Sequence, residues 1–167
     1  CDHGDMLGER GLWYKMVFFE RALRVPLLFA GPGMRAGMRI ADPVSHLDLL
    51  PTFTDFGTEA ENGFDGAGID GASLIPSLQG KAMPPRDVTA EFMGEGYDDP
   101  TIMIRRGRWK FIHSEKDGSF LYDLEHDPRE SKNLAASGTG ASFRAEVQNR
   151  WDLPGLREKV LASQRRR

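Results

Sequence analysis

Between Val88 and Leu124 the sequence is cut into short β-type runs by turn formers, and this punctuation constrains the fold more than any other feature. Thr101 to Arg105 and Arg108 to His113 carry β-branched and aromatic residues and are separated by a tight turn around Gly107. A second turn signal, Lys116-Asp117-Gly118, leads into Phe120-Leu121-Tyr122-Asp123-Leu124, and Val88 to Met93 supplies one more run upstream. Connections this short join antiparallel neighbours, because a parallel crossover needs a dozen or more residues. The pattern therefore predicts a small antiparallel sheet of three or four strands. A terminal helix from about Leu153 to Arg167 is expected from Leu156, Val160 and Leu161 on one face.

The residues before Pro84-Pro85 follow a different pattern, which divides the chain into 1–83 and 84–167. Arg24 to Gly33, RVPLLFAGPG, is apolar and ends in turn formers, as a short buried strand does. Ser45 to Phe56 predicts a helix: Ser45 caps it with Asp48 three residues on, Leu47, Leu50 and Thr54 form a stripe, and Gly57 closes it. Pro51 then has to sit in the first turn or kink the helix. The Gly-rich stretch Asn62 to Gly71 reads as a loop, and a helical turn is expected within 71–80.

Composition excludes several function classes. Net charge is −3 over 167 residues, so no nucleic-acid or anionic-membrane partner is expected; Arg165, Arg166 and Arg167 form only a small basic end. The longest apolar stretch, Val25 to Ala30, is far short of the ~20 residues of a membrane helix. A single cysteine allows no disulfide within the chain and fits a reducing, cytoplasmic setting.

Chemistry concentrates at the start, in CDHGDMLGERGLWYK. Asp2, His3, Asp5 and Glu9 fall within eight residues and are followed by Lys15. Carboxylates with one imidazole favour a hard or borderline divalent ion, and Gly4 and Gly8 let the backbone bend around it. A cation beside a lysine suits an anionic ester. Spacing alone also permits a polar surface loop. Asp5 and Glu9 either orient the ligands and Lys15 or cap a helix through Leu12 to Phe19. His46 is expected to hydrogen-bond at a helix start, His113 to lie on the surface, and His126 to stabilise the Asp127-Pro128 turn.

DHGDMLGERGLWYKM, followed by FFE and RVPLLF, resembles the second signature of the sulfatase family of the alkaline-phosphatase superfamily. SHLDLLPTF at 45–53, MIRRGRWKFI at 103–112 and LYDLEHDPRESKNLA at 121–135 resemble further family segments in the same order, and GERGLWYKM with AEFMGEG is most similar to choline sulfatases. The resemblance implies the C-terminal part of an alkaline-phosphatase-like α/β sandwich: 1–83 as the remainder of the catalytic core, and 84–167 as a subdomain of small sheet and terminal helix. It implies Asp2 and His3 as metal ligands, Lys15 as the sulfate-binding lysine, and Ca2+, with Mg2+ or Mn2+ as alternatives. Cys1 does not match the family's formylglycine motif, Cys-x-Pro/Ala-x-Arg, and reads as a small buried residue. The formylglycine nucleophile is expected upstream, so the chain alone is expected to lack activity.

The expected substrate is a small-molecule sulfate ester, from among choline, aryl and sugar sulfates, and the parent protein is expected to be a homo-oligomer. Glu91 either lines a choline pocket, with Trp13, Tyr14 and Tyr97 adding aromatic surface, or is an exposed strand residue. Two rivals remain: a phosphodiesterase or phosphonate monoester hydrolase on the same frame, and a non-catalytic oligomerisation module. In isolation the chain is expected to expose Val25 to Phe29 and the stripe around Leu50, with residues after Pro85 folding best.

Overall fold

The computed structural model describes residues 1–57, 68–94, 97 and 99–165. Most of the Gly-rich stretch from Asn62, residues 95 and 96 of AEFMGEG, and Arg166 and Arg167 lie outside the described residues. The elements in order are α1 (Glu20–Leu23), α2 (Leu49–Gly57), α3 (Ile75–Leu78), β1 (Val88–Phe92), β2 (Thr101–Arg106), β3 (Trp109–Ser114), β4 (Gly118–Asp123), α4 (Gly138–Arg150) and α5 (Leu153–Gln164). They form two compact units, one of Cys1–Asp2 with Pro26–Val88 and one of His3–Val25 with Thr89–Arg167. Residues 3–25 thus group with the sheet and not with 26–83.

The second unit is built on a four-stranded sheet in the order β1-β2-β3-β4, with antiparallel registers Ile104 to Phe111 and Lys110 to Tyr122. Strand alternation sends two apolar sets to opposite faces. Ile102, Ile104, Phe111 and Leu121 meet Phe143 and Val147 of α4 and Leu153 of α5. Met103, Ile112 and Tyr122 instead meet Phe18, Phe19 and Leu23. The helix α4 has no clear signal in GTGASFRAEVQNR, whose only inward pair is Phe143 and Val147, one turn apart. The Ser137 side chain caps it by accepting from the Gly140 N–H. His113, expected on the surface, is buried instead: its position in β3 turns it inward, stacked on Phe111 with Nδ1 2.8 Å from Ser119 Oγ.

The first unit is organised by a polar hub. Ser45 and Asp48 form the expected capping box, a 3-10 turn over His46–Asp48 runs into α2, and Pro51 lies in its first turn. The Asp48 carboxylate is fully buried and accepts from the N–H groups of Ser45 (2.7 Å) and Ala72 (2.9 Å) and from both ends of the Arg86 guanidinium. Thr52 extends the hub, donating to the Asp48 carbonyl and accepting from the Leu74 N–H.

The buried strand expected within Arg24 to Gly33 does not form. Among the described residues between 26 and 87 there is no strand to exchange backbone hydrogen bonds with it, and Leu28 stays 87% exposed. Leu50 and Phe53 of α2 are each 60% exposed.

Burial acts to raise the Asp48 pKa, but the Arg86 guanidinium and the Ala72 and Ser45 N–H groups outweigh it and hold the carboxyl below the usual aspartate value. A depressed folded pKa stabilises above the unfolded value, and that stability is lost as pH falls through the folded one. Asp48→Asn is therefore expected to cost about 3 kcal/mol at pH 7. It should also flatten the loss of stability that the wild type shows below about pH 4. Chemical denaturation at pH 7 and pH 3 checks both.

Candidate active site

The segment before α1 is shaped by two glycines. A side chain at Gly4 would strike the Arg21 carbonyl, 2.0 Å from the position of a Cβ, and it is this close crossing that lets the Gly4 N–H bond Ala22 O at 2.8 Å. Gly8 has φ 108° and leads into a 3-10 turn at Glu9–Gly11, closed by Gly11 N–H to Gly8 O at 3.0 Å, while the Gly8 N–H donates to Leu12 O at 2.9 Å. With left-handed backbone at Gly8 and at Arg10 (φ 57°), the helix expected through Leu12 to Phe19 does not form; the helical turn α1 starts only at Glu20. Glu9 caps locally: its carboxylate accepts from the Leu7 N–H at 2.7 Å and pairs with Arg21 at 3.2 Å. The Leu7 N–H, ahead of the Arg21 charge, holds the Glu9 carboxyl below its ordinary range.

Beyond this turn the chain reverses at Met16, with Val17 N–H bonded to Lys15 O at 2.8 Å. Lys15 lies beside that reversal, and its Nζ is 2.8 Å from His3 Nε2. The His3 tautomer follows from its partners. Nδ1 faces the Gly4 carbonyl at 2.9 Å, which can only accept, so Nδ1 carries the proton. Nε2 then presents its lone pair, to which the Lys15 ammonium donates. Both side chains are exposed.

Asp2 belongs to the first unit. It is exposed, with Cys1 Sγ 3.9 Å from its Oδ1. Cys1, expected to be buried, is exposed as well, and in this unit its carbonyl contacts His46 Nε2 at 3.1 Å, the hydrogen-bonding role expected of His46.

An aromatic-walled cavity of about 400 Å³ opens beside the Lys15 turn, lined among others by Tyr14, Phe18, Phe92, Tyr97 and Phe120. The Tyr97 O–H donates to Met16 O at 3.2 Å, and Phe92 packs edge-on against its ring at 4.8 Å. Burial, and next the neighbouring Tyr14, push the Tyr97 phenol up. Trp13 is 73% exposed and is not part of this wall.

Glu91 is not brought to Lys15. Its carboxylate accepts from the Trp151 indole N–H at 2.5 Å, and Trp151 packs on the helix-covered face of the sheet. Phe92, the next residue of β1, faces the cavity on the opposite side.

Asp123, Glu125 and His126 place ligand-type atoms within 4.8 Å of one another. They stitch a turn, however: His126 Nδ1 contacts Asp123 at 3.0 Å, and Arg108 lies 3.5 Å from Asp123 and 3.9 Å from Glu125.

Sequence reasoning missed the group that supports the Lys15 segment. Lys110 is 1% exposed, donates to Glu20 at 2.9 Å and pairs with Glu130 at 2.8 Å. A charged residue at an inward position of an apolar strand was the signal available.

A small antiparallel sheet, covered on one face by helices and on the other by a lysine-bearing loop, is consistent with the C-terminal part of an alkaline-phosphatase-like fold. Solved structures agree. A 2-O GAG sulfatase matches with TM-score 0.69 and 30% identity over 99% of this chain and 36% of its own. The phosphonate monoester hydrolase of Agrobacterium radiobacter matches with TM-score 0.66 and 26% identity over 95% and 34%. A family model described as N-sulphoglucosamine sulphohydrolase, C-terminal, matches residues 8–156. Choline-sulfatase of Rhizobium meliloti (strain 1021) is 41% identical over 182 residues, covering 99% of this chain and 33% of the relative. The chain belongs to the sulfatase family and corresponds to its C-terminal portion, spanning about a third of the length of these relatives. Among the described residues no helix is long and apolar enough to cross a membrane.

Glu91→Ala removes the acceptor of the Trp151 indole and is expected to lower the melting temperature by about 2–4 °C. Thermal denaturation followed by tryptophan fluorescence reads this directly, and an unchanged transition would mean the bond contributes nothing.

Proposed function

We propose that the protein containing this chain hydrolyses a sulfate ester, with choline sulfate as its first candidate substrate. The observation that carries the reading is the Lys15–His3 contact, found within a segment whose similarity to choline-sulfatase extends over nearly the whole chain. Lys15 offers an ammonium that leaves its 2.8 Å imidazole partner for a sulfate oxygen, a stronger, charge-assisted acceptor. The aromatic cavity beside the Lys15 turn suits the alcohol, because a quaternary ammonium donates no hydrogen bonds and is held by aromatic faces.

The donor set fits a divalent metal. His3 Nδ1 is anchored on Gly4 O, as the second ring nitrogen of ligating histidines commonly is, which leaves Nε2 as the nitrogen able to ligate. Asp2 and His3 would hold the ion, Ca2+ first and Mg2+ or Mn2+ as alternatives, together with residues outside this chain. When bound, such an ion supplies positive charge to the sulfate oxygens. The nucleophile, a formylglycine by resemblance, is contributed from outside these residues. Glu91, engaged with Trp151, is the weaker candidate for the alcohol pocket.

A phosphonate monoester hydrolase is the second reading, favoured by the structural match to that enzyme. Assay of the full-length protein on choline sulfate, 4-nitrophenyl sulfate and a phenylphosphonate ester separates the two. Sulfate-ester turnover is expected to dominate, to be lost in EDTA and restored by Ca2+ or Mg2+. In Lys15→Ala, kcat/KM should fall about 100-fold. Preferred turnover of the phosphonate would overturn the sulfatase reading.

A further inference from the structure

Among the described residues only two that are not glycine have left-handed backbone, Arg10 (φ 57°) and Glu130 (φ 56°). They touch each other: the Arg10 guanidinium donates to the Glu130 carbonyl and, at 3.4 Å, to the Arg129 carbonyl. Such conformations persist where the surroundings over-determine them, and they gather at functional sites. The surroundings here are explicit. Arg10 lies 4.3 Å over the Phe19 ring and 5.8 Å over that of Tyr122. Glu130 follows a rigid turn in which Asp127 O accepts from the Glu130 N–H, while the Asp127 carboxylate accepts from Ser131 Oγ and the Lys132 N–H, each at 2.8 Å.

Glu130 also reaches a second point on the same segment. One carboxylate oxygen accepts the Glu20 N–H at 2.8 Å, and the other pairs with buried Lys110, which in turn binds the Glu20 side chain. One residue thereby holds the chain at position 10 through its carbonyl and at position 20 through its carboxylate. Lys15 is the midpoint between those two feet. The loop between them is short, so fixing both ends limits how far the Lys15 ammonium can wander.

We infer that Glu130 is a positioning residue: it clamps the loop at Arg10 and Glu20 and thereby sets where Lys15 meets the sulfate. This rests on the reading of Lys15 as the sulfate contact. A displacement of about 1 Å at such a contact can cost up to about 100-fold in rate, so loss of the clamp should be visible in turnover and not only in stability.

The test is a double-mutant cycle in the full-length enzyme, read as kcat/KM on whichever of choline sulfate and 4-nitrophenyl sulfate is turned over faster. Glu130→Ala is expected to lower kcat/KM about tenfold, and to cause no further loss when added to Lys15→Ala, because its effect passes through that lysine. Arg10→Ala releases the other foot while leaving the Lys110 pairs intact; it should behave the same way, and it decides the matter if Glu130→Ala does not fold. Losses that multiply with Lys15→Ala, or folded single variants with unchanged kcat/KM, overturn the positioning role and leave the sulfate contact standing. A Lys15→Ala enzyme with wild-type kcat/KM would sink the sulfate contact itself, and the positioning role with it.

Discussion

The second unit depends on one buried charge. Lys110 sits in the central strand β3 with 1% of its side chain exposed, and two carboxylates, Glu20 and Glu130, come to it from segments far apart in sequence. A lone ammonium at that position would be strongly destabilising, and removing one partner of a buried pair costs about 3–5 kcal/mol. The charge therefore acts as a registration device: the sheet is satisfied only when the turn at Glu130 and the helical turn at Glu20 are both in place. Residues 3–25 carry few buried apolar groups of their own, chiefly Met6 and Ala22. Their order comes from this ion group, from the Arg10 contacts, and from the Phe18, Phe19 and Leu23 side chains on the sheet.

That arrangement explains how the candidate site is presented. His3 and Lys15 are exposed, yet they stand on a segment tied down at Gly4, Arg10 and Glu20. Exposed catalytic-type groups on an anchored backbone are what an enzyme needs if the reacting atoms are to be met without reorganisation. The sheet also sorts roles. One face carries the loop and the aromatic cavity, while the other carries α4, α5 and the Glu91–Trp151 bond.

Local signals made part of this legible in the sequence. Tight turns at Gly107 and Gly118 fix antiparallel pairing within a few residues, so the strands from Thr101 to Asp123 could be read directly. Ser45 with Asp48 is a three-residue signal, and the capping box is present. Family membership was likewise written in short motifs. Features set by distant partners were not legible. Val25 to Ala30 has strand composition, but a strand needs neighbours. The helix α4 is held by Phe143 and Val147 against a sheet that periodicity cannot foresee. For Glu91 the residues allowed either a pocket carboxylate or an exposed strand residue, and it is the latter: strand alternation turns it towards Trp151. The clamp by Glu130 joins positions more than 100 residues apart, which no local pattern reports.

Native-state amide hydrogen exchange on the full-length protein, wild type against Lys110→Met, tests the claim that the buried charge orders the site segment. The Gly4 N–H on Ala22 O and the Glu20 N–H on Glu130 should lose protection in the variant, while the β2–β3–β4 ladder keeps most of its own. Unchanged protection at Gly4 and Glu20, or a uniform loss across the sheet, would contradict the account.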